Sequence, residues 1–160
     1  MGLDQTLTLV KSFWYGGRDG EPTTLVDGFP LVEQRMEVVD WRKHIWAHQF
    51  FCERHSEANE CQDVVICTDE LKLFADKLEQ WIDDPEVLPP IDDKFRGPFF
   101  GVRESDEDYE ESRDYYRAMA KDDVKAIRKA IEWIKRRPPP VIRSPPVTNE
   151  FRSAIYKVSW

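Results

Sequence analysis

Three groups of side chains could do chemistry. His44, His48, Cys52 and His55 follow one another at intervals of four, four and three residues, so a helix through them carries all four on one face. Histidines four residues apart on a helix can share a metal ion. Four ligands strung along one helix cannot all reach one ion, however, and Trp41 and Ile45 in the same stripe mark a core face. No metal is therefore assigned; His44, His48 and Cys52 are the residues one would use. The second group is Arg42, Lys43, His48, Asp106, Glu107 and Tyr109. Brought together, they would bind a small anionic or zwitterionic ligand, such as a nucleotide, through charge-assisted bonds. Asp106, Glu107 and His48 are also the types that hydrolysis uses as metal ligands or as acid and base. The same groups would equally make an internal salt-bridge network.

The third group is a run of carboxylates. Residues 104–114 hold seven acids (Glu104, Asp106, Glu107, Asp108, Glu110, Glu111 and Asp114) against one base, Arg113. Acids suit the positive end of a helix dipole, so a solvated helix start accounts for them. On an exposed face, with Asp106, Glu110 and Asp114 at four-residue spacing, they would also attract a basic partner.

Composition narrows the choice. The 160 residues carry a formal net charge of -8, which disfavours direct binding to nucleic acid, because phosphate neutralisation needs a basic surface. The length suits one domain spanning 1–160. Three cysteines (Cys52, Cys61 and Cys67) and no signal-peptide pattern fit a reducing, cytoplasmic setting. No apolar run reaches the length needed to cross a bilayer. There is no Gly-rich phosphate loop, no Gly-x-Ser-x-Gly elbow and no His-Glu-x-x-His, so neither a cofactor nor a catalytic residue is assigned.

The elements that must position these groups can be read in order. Residues 6–14 alternate as an early strand, with Leu7, Leu9 and Phe13 on one side. Residues 15–22 are turn material, and a short strand is expected near 35–38. Asp40 is expected to cap a first helix over about 41–55, with Trp46 and Phe50 opposite the histidine face, so that both sides are covered. Residues 63–67 read as a short buried strand. Thr68 is expected to cap a second helix to about 83, with the stripe Leu71, Phe74, Leu78 and Trp81. A third helix is expected from about 106 towards 136, opened by Ser105 and kept in phase by Tyr109, Tyr116, Ala120, Val124, Ile127, Ile131 and Ile134. At that length it either overhangs the domain or bends near Lys121-Asp122-Asp123. Pro138–Pro140 and Pro145-Pro146 make a stiff connector, and 151–160 alternate as a last strand. The class is α+β: a small, mainly antiparallel sheet packed against about three helices, the third one long.

The chain also resembles a family of small uncharacterised proteins of bacteriophages and prophages. The resemblance lies in Met1-Gly2-Leu3-Asp4, in Trp41-Arg42-Lys43 followed by His48, and in Cys61. It continues through Phe99-Phe100-Gly101, Asp106-Glu107-Asp108-Tyr109 and the ending Tyr156 to Trp160. Gln5 replaces the family's usual Met, and the helix after Tyr109 is longer. The resemblance implies a viral origin and action in a host cell, without naming an activity. Strong acidity without catalytic motifs then points to an accessory protein that binds a basic host protein and modulates it, through Asp106, Glu107, Asp108, Glu110, Glu111 and Asp114. Counter-defence is one such role. The alternative is the ligand-binding or hydrolytic pocket described above.

Overall fold

The computed structural model describes residues 3–14, 25–26, 29–30, 33–88, 90–95, 106–136 and 149–159. The fold is α+β. Strands β1 (Asp4–Trp14), β2 (Leu25–Val26), β3 (Phe29–Pro30) and β4 (Glu33–Arg42) lead to helix α1 (Ile45–Cys52). A 3-10 turn (Ser56–Glu60) precedes β5 (Val64–Ile66), helix α2 (Thr68–Asp83), a second 3-10 turn (Asp93–Phe95), helix α3 (Asp106–Lys135) and β6 (Asn149–Ser159). The main sheet has the order β4-β1-β6-β5, with every neighbouring pair antiparallel, and β2 and β3 form a separate two-stranded ribbon. The expected turn at 15–22, the Ser105 cap and the proline connector lie outside the described residues.

Alternation decides which face of the sheet is covered. Gln5, Leu7 and Leu9 of β1 pair with Val158, Tyr156 and Ala154 of β6, and all six are buried. Val64 and Ile66 of β5 lie opposite Tyr156 and Ala154, which extends the same face. On the other side of β1, Leu7 pairs with Val39 but Thr8 pairs with Glu37. The extra residue is Val38, a bulge that resets the alternation so that Met36 lies beside Leu9.

Helices α2 and α3 lie over this face. The stripe Leu71, Phe74, Leu78 and Trp81 is wholly buried, as its spacing predicts, and so are Tyr116, Ala120, Val124, Ile127 and Ile131 of α3. Both helices turn one apolar side to a common core and leave the other to water. At 1.5 Å per residue, the 30 residues of α3 extend about 45 Å without a break. Of the two alternatives, overhang or a bend near Asp123, the helix is unbroken, and Asp123 is buried against the core side.

Two expectations are corrected. Asp40 caps no helix, and Trp41 belongs to β4, where it pairs with Gln5. The chain turns at Lys43, whose φ of 62° is left-handed and whose N–H donates to Leu3 O at 2.6 Å. The first helix is consequently shorter than 41–55. His44 is its N-cap, its Nδ1 accepting from Ala47 N at 3.1 Å, and the helix ends at Cys52. For α2 the cap is Cys67 rather than Thr68, and the Glu70 carboxylate reaches back to accept from Cys67 N at 3.1 Å.

Arg117 locks the two long helices together. Its guanidinium donates to Trp81 O and Ile82 O at 2.7–3.1 Å, satisfying carbonyls at the end of α2 that have no partner within that helix. Replacing Arg117 with Ala should cost about 2 kcal/mol, in the range for bonds from a charged donor. Urea unfolding with an unchanged m-value would check this, and a midpoint identical to that of the parent would refute it.

Candidate functional site

The histidine face is an interior. His44 and His48 have no exposed surface. The His44 ring lies 4.3 Å from that of Tyr116 and 5.3 Å from that of Trp41, with Trp46 and Trp81 each at 6.3 Å. Because Nδ1 accepts a backbone N–H, the neutral ring carries its proton on Nε2. Burial in this aromatic box lowers the His44 pKa to about 3. His48 Nδ1 lies 3.2 Å from the Tyr156 hydroxyl, and Phe95 packs edge-on to the ring. Burial lowers its pKa to about 4, opposed by a hydrogen bond with Asn59. Cys52 Sγ is 3.5 Å from His48 Nε2, and burial pushes the thiol up to about 12. At neutral pH this is an uncharged network of imidazole, phenol and thiol rather than an activated nucleophile.

The candidate metal ligands are dispersed by the same packing. His44 is enclosed by aromatic rings, and His55 Nε2 meets Glu70 Oε1 at 2.8 Å. Of the four side chains, those of His48 and Cys52 are in contact. Among the described residues no three His, Cys, Asp or Glu side chains cluster as a metal site would require.

The proposed ligand pocket is likewise divided. Arg42 is exposed at the end of β4, with its Nε 3.8 Å from Asp4 Oδ1. Lys43 occupies the turn before α1. His48 faces Tyr156 and Phe95, whereas the Tyr109 ring rests 5.5 Å from that of Trp46. The side chains of Asp106, Glu107 and Asp108 lie outside the described residues.

The remaining carboxylates form a surface. Glu110, Glu111 and Asp114 are exposed on α3. The nearby arginines are committed elsewhere: Arg117 to the end of α2, and Arg113 to Glu86 Oε1 at 3.4 Å. No ion pair to Glu110, Glu111 or Asp114 is formed among the described residues. The Arg117 and Arg113 contacts also bring the end of α2 and the loop after it beside the start of α3. Asp83, Asp84 and Glu86, all exposed, thereby join the acidic end of the helical layer. Tyr115, next to Asp114 on α3, is 60% exposed, its ring held edge-on against Tyr116. An accessible aromatic on a charged helix is a common anchor of protein interfaces.

Sequence spacing located Glu110, Glu111 and Asp114 but missed Tyr115 and the α2 carboxylates. Tyr115 was open to detection, since it lies opposite the apolar stripe of α3. Asp83, Asp84 and Glu86 join the surface only through tertiary contacts. No family model, curated protein or solved structure matches the chain. Among the described residues no helix is long and apolar enough to cross a membrane.

Proposed function

We propose that this protein binds a host protein through the acidic end of its helical layer and thereby alters that protein's activity. One observation carries the reading: Glu110, Glu111 and Asp114 are exposed, while the arginines beside them are engaged with α2 and its loop. Carboxylates left uncompensated across two elements make a field that favours a cationic partner and speeds its encounter. The resemblance to small phage proteins supports a partner in the host cytoplasm, with counter-defence as one role.

The test is capture from host lysate by the parent chain and by the triple variant Glu110→Gln, Glu111→Gln, Asp114→Asn. At about 0.2–1 kcal/mol for each exposed pair lost, the variant should bind roughly tenfold more weakly, with an unchanged melting temperature. Raising the salt should weaken the parent more than the variant, because the Debye length falls to about 3 Å at 1 M. Equal capture by both proteins would sink the proposal.

A further inference from the structure

Helix α1, helix α2 and the loop after α2 border a cavity of about 90 Å³. Its apolar walls are Trp46 and Phe50, one turn apart on α1, and Leu88 of the loop, and all three are buried. Neighbouring rings hold the first two in place: the ring centres of Trp46 and Trp81 are 5.4 Å apart, and those of Phe50 and Phe74 are 4.8 Å apart. Gln49 fastens the loop to α1. Its Oε1 accepts from Asp92 N at 2.9 Å, and its Nε2 donates to Glu53 Oε1 at 3.1 Å and to Pro90 O at 3.4 Å. The amide donors are thus used, and the charged groups left to meet an occupant are Glu53, Arg54 and Lys77. We infer that this cavity binds a small branched-chain monocarboxylate, its aliphatic end between Trp46, Phe50 and Leu88 and its carboxylate at Lys77, an assignment independent of the acidic surface above.

Charge selects the head group. Glu53 lies 3.9 Å from the Arg54 guanidinium, which is itself folded onto the Phe50 ring at 3.8 Å and donates to Phe50 O at 2.9 Å. These two charges offset each other. Lys77 is half-buried and forms no ion pair among the described residues. The acids nearest it on α2 are engaged: Asp76 with Lys72 at 2.6 Å and Arg128 at 3.0 Å, and Glu79 with Arg128. The lining therefore carries one positive charge in excess, which suits a monoanion. The chain's net charge of -8 opposes a ligand of higher negative charge, such as a phosphate ester. Volume selects the body. A cavity of about 150 Å³ holds the six carbons of benzene, so 90 Å³ holds about four and excludes an aromatic ring. An isobutyl group has that size.

NMR titration of the full chain tests the assignment with 4-methylpentanoate, its neutral counterpart 4-methylpentanamide, acetate and benzoate. 4-Methylpentanoate should bind with a Kd on the order of 1 mM, as ligands of this size do, and shift the Trp46 indole and Leu88 methyl signals. The amide lacks the charge and acetate lacks the body, so each should bind about tenfold more weakly. Benzoate should leave both signals in place. Lys77→Gln should weaken the acid about tenfold and leave the amide unchanged. Leu88→Ala, verified as folded by its spectrum, should admit benzoate. Equal affinities for acid and amide, or for 4-methylpentanoate and acetate, would overturn the inference, as would shifts confined to residues away from the cavity. Tenfold tighter binding of N-acetyl-leucine would reassign the site to the end of a peptide chain and overturn a free acid as its occupant.

Discussion

Acidification from pH 6.5 towards pH 4 should unfold this protein steeply, at about 3 kcal/mol per pH unit. The cause is the pair of buried neutral histidines. Their folded-state pKa values fall to about 3 for His44 and about 4 for His48, against an ordinary 6.5. A base whose folded pKa is depressed adds stability that is fully present above its unfolded value and is withdrawn as pH falls towards the folded one. Between those limits the unfolded chain holds two protons that the native chain refuses. Each contributes about 1.36 kcal/mol per pH unit. Two pH units therefore remove about 5 kcal/mol, comparable with the whole stability of many domains. His44 has a further reason to resist. Its Nδ1 accepts the Ala47 N–H, so protonation would set two donors against each other and uncap α1. Chemical denaturation at successive pH values measures the slope directly. His48→Gln should halve it, and a slope below half a proton in the parent chain would refute the account.

The second large effect concerns Trp41. Its indole N–H donates to Asp123 Oδ2 at 2.9 Å, joining β4 to α3 across the core, and Asp123 is only 5% exposed. Burial raises the Asp123 pKa, opposed by the bond from Trp41. Trp41→Phe removes the donor, leaves a carboxylate buried and opens space beside Phe74, whose ring lies 5.9 Å from that of Trp41. The expected loss is about 2–4 kcal/mol, from a partial cavity and a buried carboxylate left without its donor. Asp123→Asn keeps an acceptor for the indole and removes the buried charge, so it should raise the melting temperature at neutral pH by a few degrees, or about 1 kcal/mol. In Trp41→Phe, Asp123→Asn the orphaned group is neutral, so the double variant should be more stable than Trp41→Phe alone. Strict additivity in this cycle would show that the bond carries no coupling. The linkage here runs opposite to that of the histidines. An acid with a raised folded pKa favours the native state below its ordinary 3.8, and that contribution is lost as pH rises through the folded value.

The parts of the fold that were legible share one property: a single face is buried over several turns or several strand residues. Leu71 to Trp81 and Tyr116 to Ile131 repeat at helical spacing, and Ala154, Tyr156 and Val158 repeat at strand spacing. The junction between β4 and α1 was not legible. Trp41, His44, Ile45 and His48 fit a helical stripe, and the turn that separates them falls on Lys43, where no glycine or proline marks a left-handed residue. Burial all round α1 was visible in Trp46 and Phe50 opposite the histidines, and residues 45–51 are all buried. Of the acidic surface, the sequence showed one helix's share. It could not show that Arg113 and Arg117 turn away from their neighbouring acids, because their acceptors lie 27 to 36 residues away in the chain.

The sheet order has a consequence for synthesis. β6, the last strand to be made, lies between β1, the first, and β5. Until it has been made, β1 can pair, among the described strands, only with β4, and β5 has no neighbour among them. Leu7, Leu9, Val64 and Ile66 must wait for Tyr156 and Ala154 to complete their face. Completion of the sheet therefore waits on a pairing of high contact order, β1 with β6. A product terminated after α3 would release two long amphipathic helices without the strand that closes the layer beneath them, a ready substrate for chaperones and proteases.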